Sequence, residues 1–363
     1  MTKHSHQIVA IIMAGGGGTR LWPVSRKKTP KQILPFIGTK TLLQVTVDRI
    51  KKILPISRIY IATNIAHKQV IQKQLPGFPK SQMIFEPQKK DTAAAIGFAA
   101  VIIQKKFPNA VVTTVNSDGY IQHEAEYRRV FKLAGALAGE HKDQTVLIGV
   151  RPTYPETGYG YIKIGKAIGK STSQIYRVQR FIEKPDYATA SGFVKRWGYF
   201  WNPAMFFWHI DTLLSLYRKF LPKHYSILMS IASAPEKQFE RTIQRQFPRF
   251  IPISIDYGIM EKTKQMLVVP GTFGWADIGH WRSVKDVLSK REVENIIRGA
   301  HVGIDTTGSL IYGYANRLIA TIGISNLVVV DTPDVLLVCT KERSQQVKKI
   351  VDALKKKGMD MYV

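Results

Sequence analysis

Ile8-Val9-Ala10-Ile11-Ile12-Met13-Ala14-Gly15-Gly16-Gly17-Gly18-Thr19-Arg20-Leu21-Trp22-Pro23 is an unbroken apolar run that empties into four glycines and an arginine. Apolar residues without alternation predict a strand buried on both faces, as in parallel sheets. Glycines let the backbone approach a bulky anion and aim successive N–H groups at it. Arg20, Arg26 and Lys31 add charge that neutral amides lack. The stretch therefore predicts a phosphate loop, and through it a nucleotide. No Gly-Lys-Ser/Thr follows at P-loop spacing, and Arg20 stands where a dinucleotide fingerprint has its third glycine. Kinase, ATPase and dehydrogenase readings lose their basis there.

Downstream, apolar runs of strand length alternate with segments of helical period. Strands are expected at 8–14, 58–62, 82–85, 110–115 and 145–150, and helices at 41–53, 66–74, 92–106 and 124–140. That alternation predicts an α/β fold, a Rossmann-like open and mostly parallel sheet flanked by helices, with ligand at the carboxyl edge of the strands. Residues 151–285 are less regular and hold most aromatics, among them Tyr159, Tyr161, Trp197, Trp201, Trp275 and Trp281; Phe206, Phe207 and Trp208 read as core. Beyond Glu294 short β-rich pieces follow at 310–312, 318–322, 327–330 and 335–339, then a basic helix at 345–356. No regular hexapeptide or heptad repeat stands out. The expected organisation is a catalytic domain over 1–290 and a small β-structured domain over 291–363.

A chain of 363 residues with 45% hydrophobic residues can bury a substantial core. Its one cysteine, Cys339, lies in an apolar run, so no disulfide framework exists within the chain and a cytoplasmic setting is expected. Lys3 and two histidines before the first apolar run imitate a secretory signal, but the run is short, and cleavage would separate strand from loop. No stretch approaches eighteen uninterrupted apolar residues, so no membrane span is expected. The net charge of +27 is spread along the chain, in short clusters such as Lys355-Lys356-Lys357, and reads as a solvated basic surface that helps gather anions. No nucleic-acid partner is expected. A homodimer is compatible with the chain, though nothing in it fixes an oligomeric state.

The run Gly15 to Arg26, followed by Pro30-Lys31-Gln32, resembles the signature of sugar-nucleotide pyrophosphorylases, and the Leu-Trp-Pro-x-Ser-Arg form resembles their mannose-1-phosphate guanylyltransferase branch. Further matches lie in order: Glu86-Pro87, Thr157 to Ile162, Phe181-Ile182-Glu183-Lys184-Pro185, Trp201-Asn202, and Gly274 to Gly279. The resemblance implies a nucleotidyltransferase fold and transfer of GMP from GTP to mannose 1-phosphate, giving GDP-mannose and pyrophosphate. A phosphomannose isomerase domain, which many bacterial members carry, is not expected in this length.

Joining two polyanions makes cations the main requirement, because phosphoryl transfer is governed by positioning and electrostatics. Arg20 is the candidate for the triphosphate and departing pyrophosphate, Lys31 for phosphates of nucleotide or sugar. Asp118, at the end of an apolar strand, puts a carboxylate at the ligand edge, where Mg2+ (or Mn2+) takes one or two carboxylates. The resemblance implies that Asp277 meets it at the same metal. It also implies nucleotide contacts from Ala14, Gly15, Gly16, Gly17, Gly18, Thr19, Arg20, Glu86, Thr92 and Asp118, with Glu86 accepting from guanine. Glu183, Lys184 and Asn202 suit sugar hydroxyls and phosphate, joined through the resemblance by Gly160. The sugar phosphate oxygen is already an anionic nucleophile, so no catalytic serine, cysteine or histidine is assigned. The chain departs from the family at Gly119, where a histidine is usual, at Asp91, which adds negative charge, and at Pro203-Ala204. Alternatives are transfer to another hexose or heptose 1-phosphate or from another nucleotide, a non-catalytic GDP-sugar-binding regulator, and a nucleic-acid-binding protein.

Overall fold

The computed structural model describes residues 7–168 and 174–363, so Lys3 and the adjoining histidines of the signal-like segment lie outside the described residues. In chain order the strands are β1 (Ile8–Met13), β2 (Ile59–Asn64), β3 (Met83–Glu86), β4 (Val111–Asn116), β5 (Gly119–Ile121), β6 (Thr145–Val150), β7 (Gly160–Ile168), β8 (Ile175–Ile182), β9 (Tyr199–Asn202), β10 (Phe206–His209), β11 (Met266–Gly271) and β12 (Trp275–Asp277). The helices are α1 (Leu42–Lys51), α2 (Lys68–Gln74), α3 (Asp91–Lys106), α4 (Glu124–Glu140), α5 (Tyr187–Lys195), α6 (Ile210–Phe220), α7 (Pro222–Ala232), α8 (Phe239–Gln246), α9 (Ile255–Gly258), α10 (Trp281–Leu288) and α11 (Val347–Lys356). The chain divides into two compact units. One holds residues up to Gly15, Thr46–Ser117 and Ile121–Trp275; the other holds Gly16–Val45, Asp118–Tyr120 and Ala276–Val363. Residue 290, the boundary expected from sequence, falls inside the second.

The first unit is built on a sheet ordered β11-β8-β7-β9-β6-β10-β4-β1-β2-β3. Strands β3, β2, β1 and β4 run parallel, as their mostly apolar, non-alternating character predicts. Antiparallel β10 joins β4 to β6. Beyond it, β9, β7 and β8 pair antiparallel, and β11 returns parallel to β6, closing five strands on themselves. The antiparallel part was not resolved from sequence because β7 and β8 each keep exposed polar positions, which dilutes the apolar run.

Helices cover both faces. Val9 and Ile11 join the cluster around α3, whereas Ile8 packs at Gly135 of α4 on the opposite face, where Phe131 also meets Phe207 edge-on with centroids 5.0 Å apart. Helix α3 is apolar almost all round because α6 and α7 cover its outer side: a Cβ at Gly97 would lie 2.7 Å from Leu228 Cδ1, and Tyr217 donates its hydroxyl to the Ala93 carbonyl at 2.6 Å. Among the described residues no helix is long and apolar enough to cross a membrane.

In the second unit, β13 (Ile296–Arg298), β14 (His301–Ile304), β15 (Leu310–Tyr312), β16 (Ile319–Ile322) and β17 (Leu327–Asp331) wind into a coil. His301 pairs with Ile319, Thr307 with Ser325 and Leu310 with Val328, all parallel and all offset by eighteen positions. The shorter first turn pairs Ile296 with Leu310. Strand β18 (Leu336–Thr340) closes the coil antiparallel to β17. Leu310, Val328, Val330 and Leu337 share a core with Leu21, Trp22, Phe36, Ile278 and Trp281.

Candidate active site

Four of the predicted residues come together in the second unit. The glycine loop enters a 3-10 turn at Thr19–Leu21 from Gly18, whose φ of 61° is left-handed. Leu21 and Trp22 anchor this turn in the core, where Trp281 Nε1 donates to the Trp22 carbonyl at 2.9 Å. These apolar anchors hold Arg20, the residue just before them, in place. A second 3-10 turn, Lys31–Ile33, carries Lys31 inward until it is only 7% exposed.

There the Lys31 ammonium lies 2.5 Å from Asp118 Oδ2 and 3.7 Å from Asp277 Oδ1, and it donates to the Ile278 carbonyl at 3.1 Å. Ile278 N–H donates to the Asp118 carbonyl at 3.1 Å, tying together the chain segments that bring the two acids. A Cβ at Gly279 would lie 2.5 Å from Asp277 Oδ2 and 3.4 Å from Arg20 Nη2, so only glycine leaves room for both. Arg20 Nη1 reaches Gln345 Oε1 at 3.4 Å. The following turn is fixed by a capping box in which His280 Nδ1 accepts from Ser283 N–H.

Burial alone would depress the Lys31 ammonium; Asp118 and then Asp277 outweigh it and hold its pKa above the usual value. Burial holds the Asp277 carboxyl above its usual range, with Asp118 adding to the shift and Lys31 opposing it. Lys31 thus offsets only part of what burial does to Asp277. Among the described residues no group of three or more His, Cys, Asp and Glu side chains is arranged to hold a metal ion by itself. Two carboxylates beside an anion-binding loop fit Mg2+ or Mn2+, whose shell is completed by water and phosphate, and do not fit a closed protein-only cage.

Of the remaining predicted residues, Gly16, Gly17, Gly18 and Thr19 lie in the second unit and the others in the first. Ala14 donates its N–H to the Ala62 carbonyl and accepts from Thr63 Oγ1, both at 2.8 Å, so its backbone serves the sheet edge; Gly15 follows, exposed. Glu86 ends β3, buried, and burial together with Asp91 pushes its carboxyl up to about 7. Thr92 accepts from Ile255 N–H at 2.8 Å, and Asp91, with φ of 64°, accepts from Thr92 N–H at 2.7 Å.

Gly160, Glu183, Lys184 and Asn202 form one group. Gly160 opens β7 opposite Asn202 at the end of β9, while Glu183 and Lys184 follow β8. A Cβ at Gly160 would lie 2.5 Å from Glu183 Oε2. Lys184 Nζ lies 2.6 Å from Glu183 Oε1. Asn202 Oδ1 accepts from Ala204 N–H at 2.9 Å, which holds Ala204 at a φ of 53° in the loop where the sequence departs from its family.

Three neighbours were missed by sequence reasoning. Asn202 Nδ2 donates to Asp256 Oδ1 at 3.2 Å, Glu261 Oε1 accepts from Glu183 N–H at 3.0 Å, and Tyr257 lies under the Lys184 ammonium at 6.0 Å. Burial, with the Glu183 charge adding, pushes the Asp256 carboxyl up to about 7. Glu183 is likewise raised by burial, against the pull of Lys184. The only sequence signal for Asp256 was the Ser254 helix cap before it, which identifies a turn and not a site.

The family model described as nucleotidyl transferase matches residues 9–293, and one described as a MannoseP isomerase/GMP-like beta-helix domain matches residues 299–354. The chain is 37% identical to the xanthan biosynthesis protein XanB of Xanthomonas campestris, over 97% of this chain and 74% of that protein. It is 35% identical to the mannose-1-phosphate guanylyltransferase RfbM of Salmonella typhimurium, over 97% of this chain and 73% of that protein. A crystal structure described as mannose-1-phosphate geranyltransferase from Thermus thermophilus superposes with a TM-score of 0.87 at 33% identity, covering 96% of this chain and 99% of that one.

Proposed function

Because the chain belongs to the nucleotidyl transferase family, we propose that it transfers GMP from GTP to mannose 1-phosphate, releasing pyrophosphate and giving GDP-mannose. The observation that carries this reading is the convergence of Asp118 and Asp277 on one buried ammonium, that of Lys31. Such a site suits two polyanions that must be brought together.

Asp118 and Asp277 would hold Mg2+ or Mn2+, which when bound supplies charge neutralisation and alignment of the triphosphate. Arg20 takes the charge that develops on pyrophosphate as it leaves. Lys31 steadies the α-phosphate, and the amides from Gly15 to Thr19 receive phosphate oxygens. The attacking oxygen belongs to the sugar phosphate and arrives as an anion, so no side chain removes a proton from it and no covalent intermediate forms. Each preorganised contact of this kind is worth roughly 3 kcal/mol of barrier.

Glu183 and Asn202 pair with sugar hydroxyls beside Gly160, while Lys184 turns from Glu183 toward the sugar's phosphate. Glu86, in its ionised form, accepts from the N–H groups of guanine, with Ala14 and Thr92 supporting the base pocket. In this reading residues 1–290 carry the chemistry and 291–363 support it, and a cytoplasmic setting suits both substrates. The test is pyrophosphate release from a panel of nucleoside triphosphates crossed with sugar 1-phosphates, with and without Mg2+. GTP with mannose 1-phosphate and Mg2+ gives the highest kcat/KM; faster release with another pair reassigns the substrate, and binding of GDP-mannose without release from any pair contradicts the reaction.

A further inference from the structure

A cleft of about 340 Å³ opens in the first unit between the start of β6 and the approach to β11, lined by Asp143, Thr145, Lys219, Phe220, Lys262 and Lys264 among others. That size lies at the lower end for small-molecule sites. Three lysines face one aspartate, and Asp143 is itself engaged by the Gln144 and Gln265 side-chain amides at 3.0 and 3.3 Å. Thr145 is 1% exposed, and its hydroxyl is buried without a hydrogen-bond partner. An unpartnered buried hydroxyl costs stability unless something completes it. Phe220 supplies an apolar wall.

The cleft is separate from the group around Glu183. Thr145 is the first residue of β6 and Val150 the last, and it is Val150 that pairs with Trp201, beside Asn202. Five steps along an extended strand span about 16 Å. A physical link nonetheless runs between the two. The 3-10 turn Met260–Lys262 gives Lys262 to the cleft, and its neighbour Glu261 accepts from the Glu183 backbone.

We propose that this cleft is a second ligand site, for a small polyol bearing a phosphate monoester, and that filling it adjusts sugar-phosphate binding through the Glu261–Glu183 contact. Lys219, Lys262 and Lys264 take the phosphate, while Thr145 and Asp143 take hydroxyls. The second part rests on the role proposed above for Glu183; the first does not.

The test is calorimetric titration of the full-length protein with glucose 6-phosphate, glucose and inorganic phosphate, comparing wild type with a Lys219→Glu/Lys264→Glu double variant and with Thr145→Val. Glucose 6-phosphate binds the wild type, and the double variant binds it about tenfold more weakly or worse, as expected when charged contacts are reversed. Thr145→Val weakens it by a smaller factor. Equal affinity in wild type and double variant, or no binding by the wild type, overturns the site; inorganic phosphate binding as tightly as glucose 6-phosphate overturns the polyol assignment. Separately, glucose 6-phosphate changes the KM for the sugar 1-phosphate in wild type but not in the double variant. Binding without that change overturns the coupling alone, and a protein that binds glucose 6-phosphate yet releases no pyrophosphate points to failure of the proposed reaction and not of the cleft.

Discussion

Lys31 Nζ sits 2.5 Å from Asp118 Oδ2, joining a loop that precedes α1 to the turn between β4 and β5, 87 positions further along the chain. The ammonium occupies the place from which both Asp118 and Asp277 can be neutralised. Replacing either acid with its amide keeps the volume and removes the charge. Asp118→Asn and Asp277→Asn each lower kcat by about a hundredfold or more, with a native circular dichroism spectrum. Pyrophosphate release within fivefold of wild type at saturating Mg2+ contradicts the metal role.

Gly18 tests how the loop places Lys31. Its left-handed φ disfavours a side chain, and a Cβ there would lie 2.8 Å from Lys31 Cβ. Gly18→Ala therefore costs about 1–3 kcal/mol of stability, read as a lower urea midpoint, and lowers kcat more than it raises the KM for sugar phosphate.

Gly160 gives the complementary test in the other unit. The added methyl of Gly160→Ala collides with Glu183 Oε2, so the KM for mannose 1-phosphate rises by about tenfold while that for GTP stays within twofold. Equal changes in both contradict the assignment of this group to sugar.

The carboxyl of Glu86, raised to about 7 from 4.5, makes a pH prediction with a definite sign. Between these values the folded protein binds a proton that the unfolded chain has lost. The stability this contributes is full below pH 4.5, falls as pH rises toward 7, and is gone above it. The loss is about 3 kcal/mol, measured by urea unfolding and absent in Glu86→Gln. GTP affinity runs the other way, because the base donates to the ionised form: it rises between pH 6 and 8, and Glu86→Gln flattens that rise.

The parallel half of the sheet was legible because strands buried on both faces read as continuous apolar runs. The observed β6 and α4 keep the expected limits, and β1 ends one residue short of its expected limit. The five-strand ring was not, since β8 alternates buried and exposed positions and its partners are distant in sequence. The coil also escaped notice. Each of its turns buries few side chains, so residues such as Leu310 and Val328 repeat too seldom to form a visible period. In the site, residues within recognisable motifs could be listed in advance, but not their partners. Asp256 and Glu261 touch Asn202 and Glu183 across 54 and 78 positions, a proximity only tertiary packing creates.

The eighteen-position offset of the coil sets the step in which this segment can change length. Adding or removing one full turn would keep Leu310-like residues facing inward, whereas a one-residue insertion within a strand would turn the later side chains of that strand onto the other face. Because β18 runs antiparallel to β17, the parallel stacking is interrupted after β17. Gain or loss of a whole eighteen-residue turn is thus the change in length that leaves the inward-facing row of this coil intact.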